Sequence, residues 1–145
     1  MRTTIKLIII VLVLASSNAS FAQNRTYKDG SVWSVSTIKS ETGQTVTYLN
    51  SLKTSWKGVM DEAKTQGLIL SYKILSGTSA NPDDWDILLM VEYKNLAAME
   101  GNEEKWDAIQ AKVVGNEDAQ GKLRDNRVKM RMIYGGKLLR EVVYK

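Results

Sequence analysis

The alternation of apolar and polar residues is clearest between residues 67 and 95, where it predicts two neighbouring β-strands. The segment 68–75 alternates first, and a polar loop with the only proline joins it to the segment 85–93, in which every second residue is apolar. A period of two is typical of a strand with one buried face. We therefore expect an antiparallel pair, with one wholly apolar face turned toward helices: Trp85, Ile87, Leu89, Val91 and Tyr93.

Three segments repeat their apolar residues at spacings of three and four, which predicts helices. The segment 45–66 has the longest apolar stripe, and Gly67 is placed to end it in the left-handed conformation. The segment 96–114 is the second helix. The segment 117–132 is the third, and we expect the pair Gly135–Gly136 to stop it. Its other positions form a basic ridge: Lys122, Arg124, Arg127, Lys129 and Arg131.

Two further segments complete the pattern of strands. The segment 31–39 is rich in β-branched residues and the segment 137–145 alternates, whereas 23–30 is polar and predicts a loose N-terminal arm. The order is then β-α-β-β-α-(α)-β, which is the split βαβ order of ferredoxin-like domains. The sequence predicts a single α+β domain over 31–145, with a four-stranded antiparallel sheet and both main helices on one face.

The first 22 residues have the pattern of a secretory signal peptide. Two basic residues precede an unbroken apolar run of nine, and Ser20-Phe21-Ala22 offers small residues where signal peptidase cuts. A membrane anchor is the alternative, but a spanning helix needs roughly 20 apolar residues. We expect cleavage near Ala22 and a mature protein of 123 residues, periplasmic or secreted, with no membrane attachment after cleavage.

Charge and composition exclude several classes of function. The mature chain has 18 basic and 16 acidic residues, a net charge of +2, because Arg2 and Lys6 leave with the signal peptide. So small a charge gives no case for nucleic acid as a partner. The absence of histidine excludes imidazole catalysis, histidine-ligated haem and the usual zinc sites. The absence of cysteine excludes disulfides. We expect no cofactor.

Two charged clusters are open to a functional and a structural interpretation. Asp83, Asp84 and Asp86 follow Pro82 and offer oxygens to a calcium ion, but aspartates also favour turns, and the spacing of a calcium-binding loop is missing. The basic ridge suits a polyanion, but a solvated helix face has the same composition. In both places we expect the structural role.

Aromatic residues are the best candidates for a ligand site. A small-molecule site is usually concave and apolar with a few polar groups, and the mature chain has four tryptophans and no phenylalanine. Core packing is the alternative. Arg140, the one charge on an apolar strand face, suits a ligand carboxylate or an ion pair, for example with Glu92. The candidate pocket residues are Trp33, Trp56, Tyr72, Trp85, Tyr93, Trp106 and Arg140.

The element order over 31–145, the helix with Trp56, the segment 85–93 and the closing segment 134–142 together resemble the dimeric α+β-barrel superfamily. The resemblance implies a homodimer in which two four-stranded sheets close a barrel, with pockets between sheet and helices. It also implies that the second face of the segment 85–93 meets the partner subunit: Asp86, Leu88, Met90 and Glu92.

Three functions are open on these grounds. The first is an exported homodimer that binds a small apolar or aromatic ligand without catalysis. The second, which the resemblance allows, is a cofactor-independent monooxygenase or isomerase acting on an aromatic substrate. Such an enzyme would rely on Trp, Tyr, Asn and Arg side chains, because histidine and cysteine are absent. The third is a structural dimer of the cell envelope.

Overall fold

The computed structural model describes residues 25–145, so the predicted signal peptide, 1–22, lies outside the described residues. Within residues 25–145 no helix combines the length and apolarity needed to cross a membrane. The elements of this part of the chain are β1 (Tyr27–Ser40), α1 (Thr45–Thr54), α2 (Trp56–Thr65), β2 (Ser71–Ser76), β3 (Ile87–Tyr93), a 3₁₀ turn (Leu96–Met99), α3 (Glu103–Val113), α4 (Glu117–Val128) and β4 (Arg131–Tyr144).

The four strands form one antiparallel sheet in the order β2-β3-β1-β4. The first and third strands of the chain are therefore central, and the second and fourth are at the edges. Helix residues pack against one face of this sheet. This is the ferredoxin-like arrangement, and the predicted α+β fold with its four-stranded antiparallel sheet is confirmed.

The core lies between the sheet and the helices, and alternate residues of β3 form its floor. Ile87, Leu89 and Val91 are buried, as the period of two predicts. Val91 belongs to a cluster with residues of α2 and α3, whereas Ile87 and Leu89 belong to one with residues of α1. The buried helix residues in the two clusters are Tyr48, Leu52, Val59, Met60, Ala63 and Ile109.

The prediction was wrong for Trp85, which precedes β3 and is 39% exposed. The loop continues through this residue because Asp84 holds a turn there. The Asp84 backbone N–H donates to the Asn81 carbonyl at 3.1 Å, and one Asp84 carboxylate oxygen accepts from the Trp85 backbone N–H at 2.9 Å. The strand therefore begins only at Ile87.

The predicted helix 45–66 is divided in two at Ser55. This residue has φ −114° and ψ −82°, outside the helical region, and is 4% exposed. Its hydroxyl donates to the Ser51 carbonyl at 2.5 Å, so the side chain competes with the backbone for a helical acceptor. Gly67 has φ +72° just after α2, as predicted for the residue that ends the helix.

The last strand is longer than predicted and includes the two glycines expected to stop a helix. It begins at Arg131 and pairs with β1 through Gly135 and Gly136. The Thr37 hydroxyl donates to the Gly135 carbonyl at 3.2 Å, and a register shift lies next to this point. Glycine in a strand often marks such an irregularity. The pairing partner, rather than the local sequence, determines the structure here.

Residues 27–30, predicted to belong to a loose arm, are part of β1. Tyr27 pairs with Tyr144, and the Lys145 backbone N–H donates to the Thr26 carbonyl at 2.9 Å. Pairing of β1 with β3 begins only at Val32, so residues 27–29 and 142–144 form a two-stranded extension of the sheet, the terminal ribbon. Polar residues are tolerated here because backbone hydrogen bonds with β4 hold these residues in a strand.

Candidate functional site

Four of the predicted pocket residues lie together on the helix side of the sheet. Trp56, Tyr72, Tyr93 and Trp106 are partly buried, and all contact the core cluster that contains Val91. Trp56 and Tyr72 meet edge to face, with ring centroids 5.5 Å apart and ring planes at 85°. Within the single chain these four residues pack as part of the core.

The other three predicted residues lie elsewhere. Trp33 is on the opposite face of the sheet, where the Lys73 ammonium lies 5.3 Å from its ring centroid. Trp85 is in the loop before β3, and Arg140 is on the edge strand β4. The structure thus divides the predicted set between two sheet faces, a loop and an edge.

Arg140 lines a groove on β4. The groove has a volume of about 200 Å³ and its other lining residues are Val32, Leu96, Leu138 and Leu139; we call it the β4 groove. Arg140 Nη1 lies 2.7 Å from Asp29 Oδ2, and both side chains are about half exposed. The partner that the sequence suggested, Glu92, instead accepts a hydrogen bond from Ser71. An apolar groove with one solvated cation suits a small amphipathic ligand.

The sheet face opposite the helices carries apolar side chains that are partly exposed, and no helix of residues 25–145 packs on it. Residues directly opposite each other on paired strands share a face of the sheet. Trp33 is opposite Glu92 and Val35 is opposite Met90, and these residues alternate with those that face the helices. Leu75 and Leu139 on this face are 49% and 48% exposed. We call it the open sheet face; its residues are Trp33, Val35, Leu75, Leu88, Met90 and Leu139, with Ser71, Lys73, Glu92 and Lys137 among them. An apolar surface of this kind typically marks an interaction site.

Tyr72 connects the core to a surface ion pair. Its hydroxyl donates to Asp61, whose carboxylate also contacts the Lys57 ammonium at 2.6 Å. The hydrogen bond from Lys57 and then that from Tyr72 hold the pKa of Asp61 below its usual range. Burial, followed by the hydrogen bond to Asp61, raises the pKa of Tyr72, so this hydroxyl stays protonated at neutral pH.

We expect this ion pair to make stability dependent on pH in the acid range. The pKa of Asp61 is lower in the folded chain, so its contribution is present above about pH 4, the unfolded value, and is lost as the pH falls through the folded pKa. Asp61→Asn should lower the melting temperature at pH 7 by about 1–4 °C, because the pair is half exposed.

Melting curves of the wild type and Asp61→Asn from pH 2 to pH 7 test this expectation. The difference in melting temperature should shrink toward zero at the acid end and become smaller in high salt. Asp125→Asn, at an exposed position of α4, is the matched control. A difference that stays constant over the whole pH range would contradict the assignment.

The aspartates of the loop before β3 bind groups of this chain. Asp84 accepts from the Ala80 backbone N–H at 2.9 Å, and Asp86 accepts from the Ser40 backbone N–H at 2.9 Å. Asp83 donates its own backbone N–H to the Asn81 side chain at 2.9 Å. Across residues 25–145 no three acidic, histidine or cysteine side chains converge as metal ligands would. The aspartates shape the loop, as turn-forming residues do.

The sequence interpretation missed a cluster of two arginines beneath the helices. Arg127 was grouped with a solvated ridge, but it is half-buried, and its Nη2 donates to the Ser55 hydroxyl at 2.6 Å. The Arg131 guanidinium lies 5.7 Å from the ring centroid of Tyr48, which is 1% exposed. The spacing i, i+3, i+7 places Arg127 on the same side of α4 as Gln120 and Leu123, and this signal was available in the sequence.

Burial governs the ionisation of this arginine cluster. It lowers the pKa of Arg127, an effect that neighbouring Tyr48 opposes and Arg131 reinforces. Burial also raises the pKa of Tyr48, against the effect of the two arginines. The Nε atoms of Arg127 and Arg131 are buried and have no hydrogen-bond partner within residues 25–145. The cluster therefore holds positive charge and unused donors beneath α4.

These groups support binding better than bond-making chemistry. Cationic arginines can neutralise an anionic ligand, and the sequence has no thiol or imidazole to act as nucleophile or base. The cofactor-independent monooxygenase or isomerase stays a prediction from the resemblance.

Comparison with known proteins identifies no family for this chain. No protein-family model matches the sequence, and no curated protein matches it significantly. A crystal structure of a dimeric ferredoxin-like protein from an uncultured marine organism is similar to this chain, with 14% sequence identity and a TM-score of 0.45. The match covers 81% of this chain and 90% of that chain.

Proposed function

We propose that this protein is an exported homodimer that binds a small ligand with an apolar body. The observation that carries the proposal is the open sheet face, because a second copy of the chain is the simplest cover for it. The predicted signal peptide, 1–22, supports a mature protein in the periplasm or outside the cell. The resemblance to dimeric α+β barrels implies a dimer of this kind, in which the two sheets face each other.

The whole side of the sheet that contains the open sheet face, terminal ribbon included, approaches the size that a stable dimer requires. The strands β1, β2, β3 and β4 have 14, 6, 7 and 14 residues. With strands about 4.8 Å apart and a rise of about 3.3 Å per residue, the sheet covers roughly 650 Å² in its own plane. The accessible surface exceeds this planar area because side chains project from it. A standard interface buries about 800 Å² on each partner, so the proposed dimer would use nearly the whole of this side of the sheet.

The charges of the open sheet face are also compatible with self-association. A twofold axis brings the same patch of both subunits together, so the patch must complement itself. Lys73 and Lys137 supply positive charge, and Glu92 supplies negative charge. The centre of the face, around Val35 and Met90, is apolar, as the centre of an interface usually is.

The β4 groove is the proposed ligand site of this dimer. Leu139 belongs both to the open sheet face and to the lining of the groove. A partner packed over the open sheet face would therefore border the groove and shield one of its sides from water. A half-closed apolar groove with Arg140 at its rim fits a ligand with an apolar body and a polar end.

Native mass spectrometry of the processed protein, recovered after export, tests the proposal in one experiment. We expect a species of twice the mass of the chain that begins at Gln23, with additional mass where ligand is retained. Leu138→Ser, which makes the groove more polar, should release ligand without splitting the dimer, because Leu138 lies on the helix side of the sheet. A monomer at micromolar concentration would refute the dimer.

A further inference from the structure

A cleft between α3 and α4 is separate from the β4 groove and from the open sheet face. It has a volume of about 280 Å³. α4 contributes no fully buried side chain, so its contact with α3 is open to a small molecule. The polar or basic lining residues are Gln110, Gln120, Arg124 and Arg127, and the apolar ones, Val114 and Leu123, form a comparable share of the surface.

The two arginines of this cleft lack acidic partners. Within residues 25–145 no carboxylate lies within 4.0 Å of the guanidinium of Arg124 or Arg127. Arg127 uses one donor on Ser55, while its Nε is buried without a partner. The Arg127 side chain is half-buried, and a charge partly removed from water is normally paired, because leaving it unpaired is costly. The uncompensated charge points to an anion as the missing partner.

Neighbouring acids limit the charge that this anion can carry. Arg124 and Gln120 also line an adjoining cavity, together with Asp107 and Glu117. Two carboxylates so near would repel a doubly charged phosphate more than a singly charged carboxylate. A guanidinium presents two parallel donors that match a carboxylate, and Leu123 and Val114 offer an apolar wall to an organic body.

We propose that the cleft between α3 and α4 binds a small organic monocarboxylate, whose carboxylate pairs with Arg124 and Arg127. The inference rests on the proposed ligand-binding function and assigns it a second site with its own ligand class. Binding there would also stabilise the packing of α4 on the other helices, because Arg127 already contacts Ser55 between α1 and α2.

Isothermal titration of the processed protein with benzoate, hexanoate and inorganic phosphate tests this inference. We expect saturable binding of the two carboxylates, weakened by added salt, and much weaker binding of phosphate. Arg124→Gln should weaken carboxylate binding about tenfold or more, because it removes a charge-assisted hydrogen bond at an exposed position. Arg127→Lys should also weaken it, since the charge remains but the paired donors are lost.

Lys122→Gln is the matched control, because Lys122 is exposed on the same helix and does not line the cleft. The affinity of the Lys122→Gln variant for benzoate and hexanoate should equal that of the wild type. Absence of saturable carboxylate binding, or equal affinity in Arg124→Gln and the wild type, would overturn the inference. Phosphate binding as tight as that of benzoate would overturn the ligand class. The dimer mass measured above reports separately on the proposed function, so the two can fail independently.

Discussion

Leu89→Lys is expected to unfold the protein. Leu89 is 8% exposed and lies in the core cluster with Ile38 and Ile87. Losing a buried leucine costs about 2–5 kcal/mol, and an unpaired buried ammonium adds several kcal/mol more. A domain of this size is stable by about 5–15 kcal/mol in total. Far-UV circular dichroism and urea denaturation measure the effect.

The control for this variant is Leu89→Met, which preserves the volume and should cost less than about 1.5 kcal/mol. It separates the effect of charge in the core from the effect of any change at this position. A Leu89→Lys protein that still unfolds cooperatively near the wild-type melting temperature would show that the β3 face toward the helices is wrongly assigned.

Met90→Lys is expected to separate the dimer and leave the subunit folded. Met90 is the next residue along β3, but it lies on the open sheet face, between Val35 and Lys73 in the pairing. The new ammonium would lie beside Lys73, and the twofold axis would double the repulsion. We expect the dissociation constant to rise by about 100-fold or more, since a buried unpaired charge costs 2–5 kcal/mol at an interface.

Sedimentation equilibrium measures this dissociation constant, and thermal melting shows whether the subunit is folded. Met90→Leu should keep the dimer, and Asn50→Lys, at an exposed position of α1, controls for the added charge itself. If the Met90→Lys variant is still a dimer, the open sheet face is not the interface. The pair Leu89 and Met90 thus tests both faces of one strand with the same substitution.

The sequence was sufficient to predict those parts of the fold in which a segment with a periodic apolar pattern packs against one neighbouring layer. Ile87, Leu89 and Val91 alternate because one face of β3 packs against helices, and that face was predicted correctly. The element order followed from such patterns, and the order determines the ferredoxin-like sheet. The left-handed Gly67 was predicted for a local reason, since few other residues adopt that conformation.

The errors occur where a distant part of the chain overrides local preference. Residues 27–30 and the pair Gly135–Gly136 have weak strand propensity, yet each belongs to a strand because β1 and β4 pair along their length. Ser55 breaks a well-patterned helix, and Arg127, far along the chain, donates to its hydroxyl. Periodicity within a window of 11–18 residues contains no information on such partners.

The candidate site was predicted less well than the fold for the same physical reason. Aromatic residues were grouped by type, whereas the structure separates Trp33 from Trp56 by the thickness of the sheet. Arg127 was grouped with its neighbours in sequence, although its guanidinium reaches Ser55 between α1 and α2. Composition indicates which side chains bind ligands well, but only the path of the backbone determines which of them meet.

The pairing of β1 with β4 also affects how the chain is made. β1 is synthesised first and its partner β4 last among residues 25–145. Until β4 has left the ribosome, one edge of the central strand has unsatisfied backbone groups that can pair with another chain. The sheet is therefore complete only once the final strand has been synthesised, and until then this edge of β1 stays open to pairing with another chain.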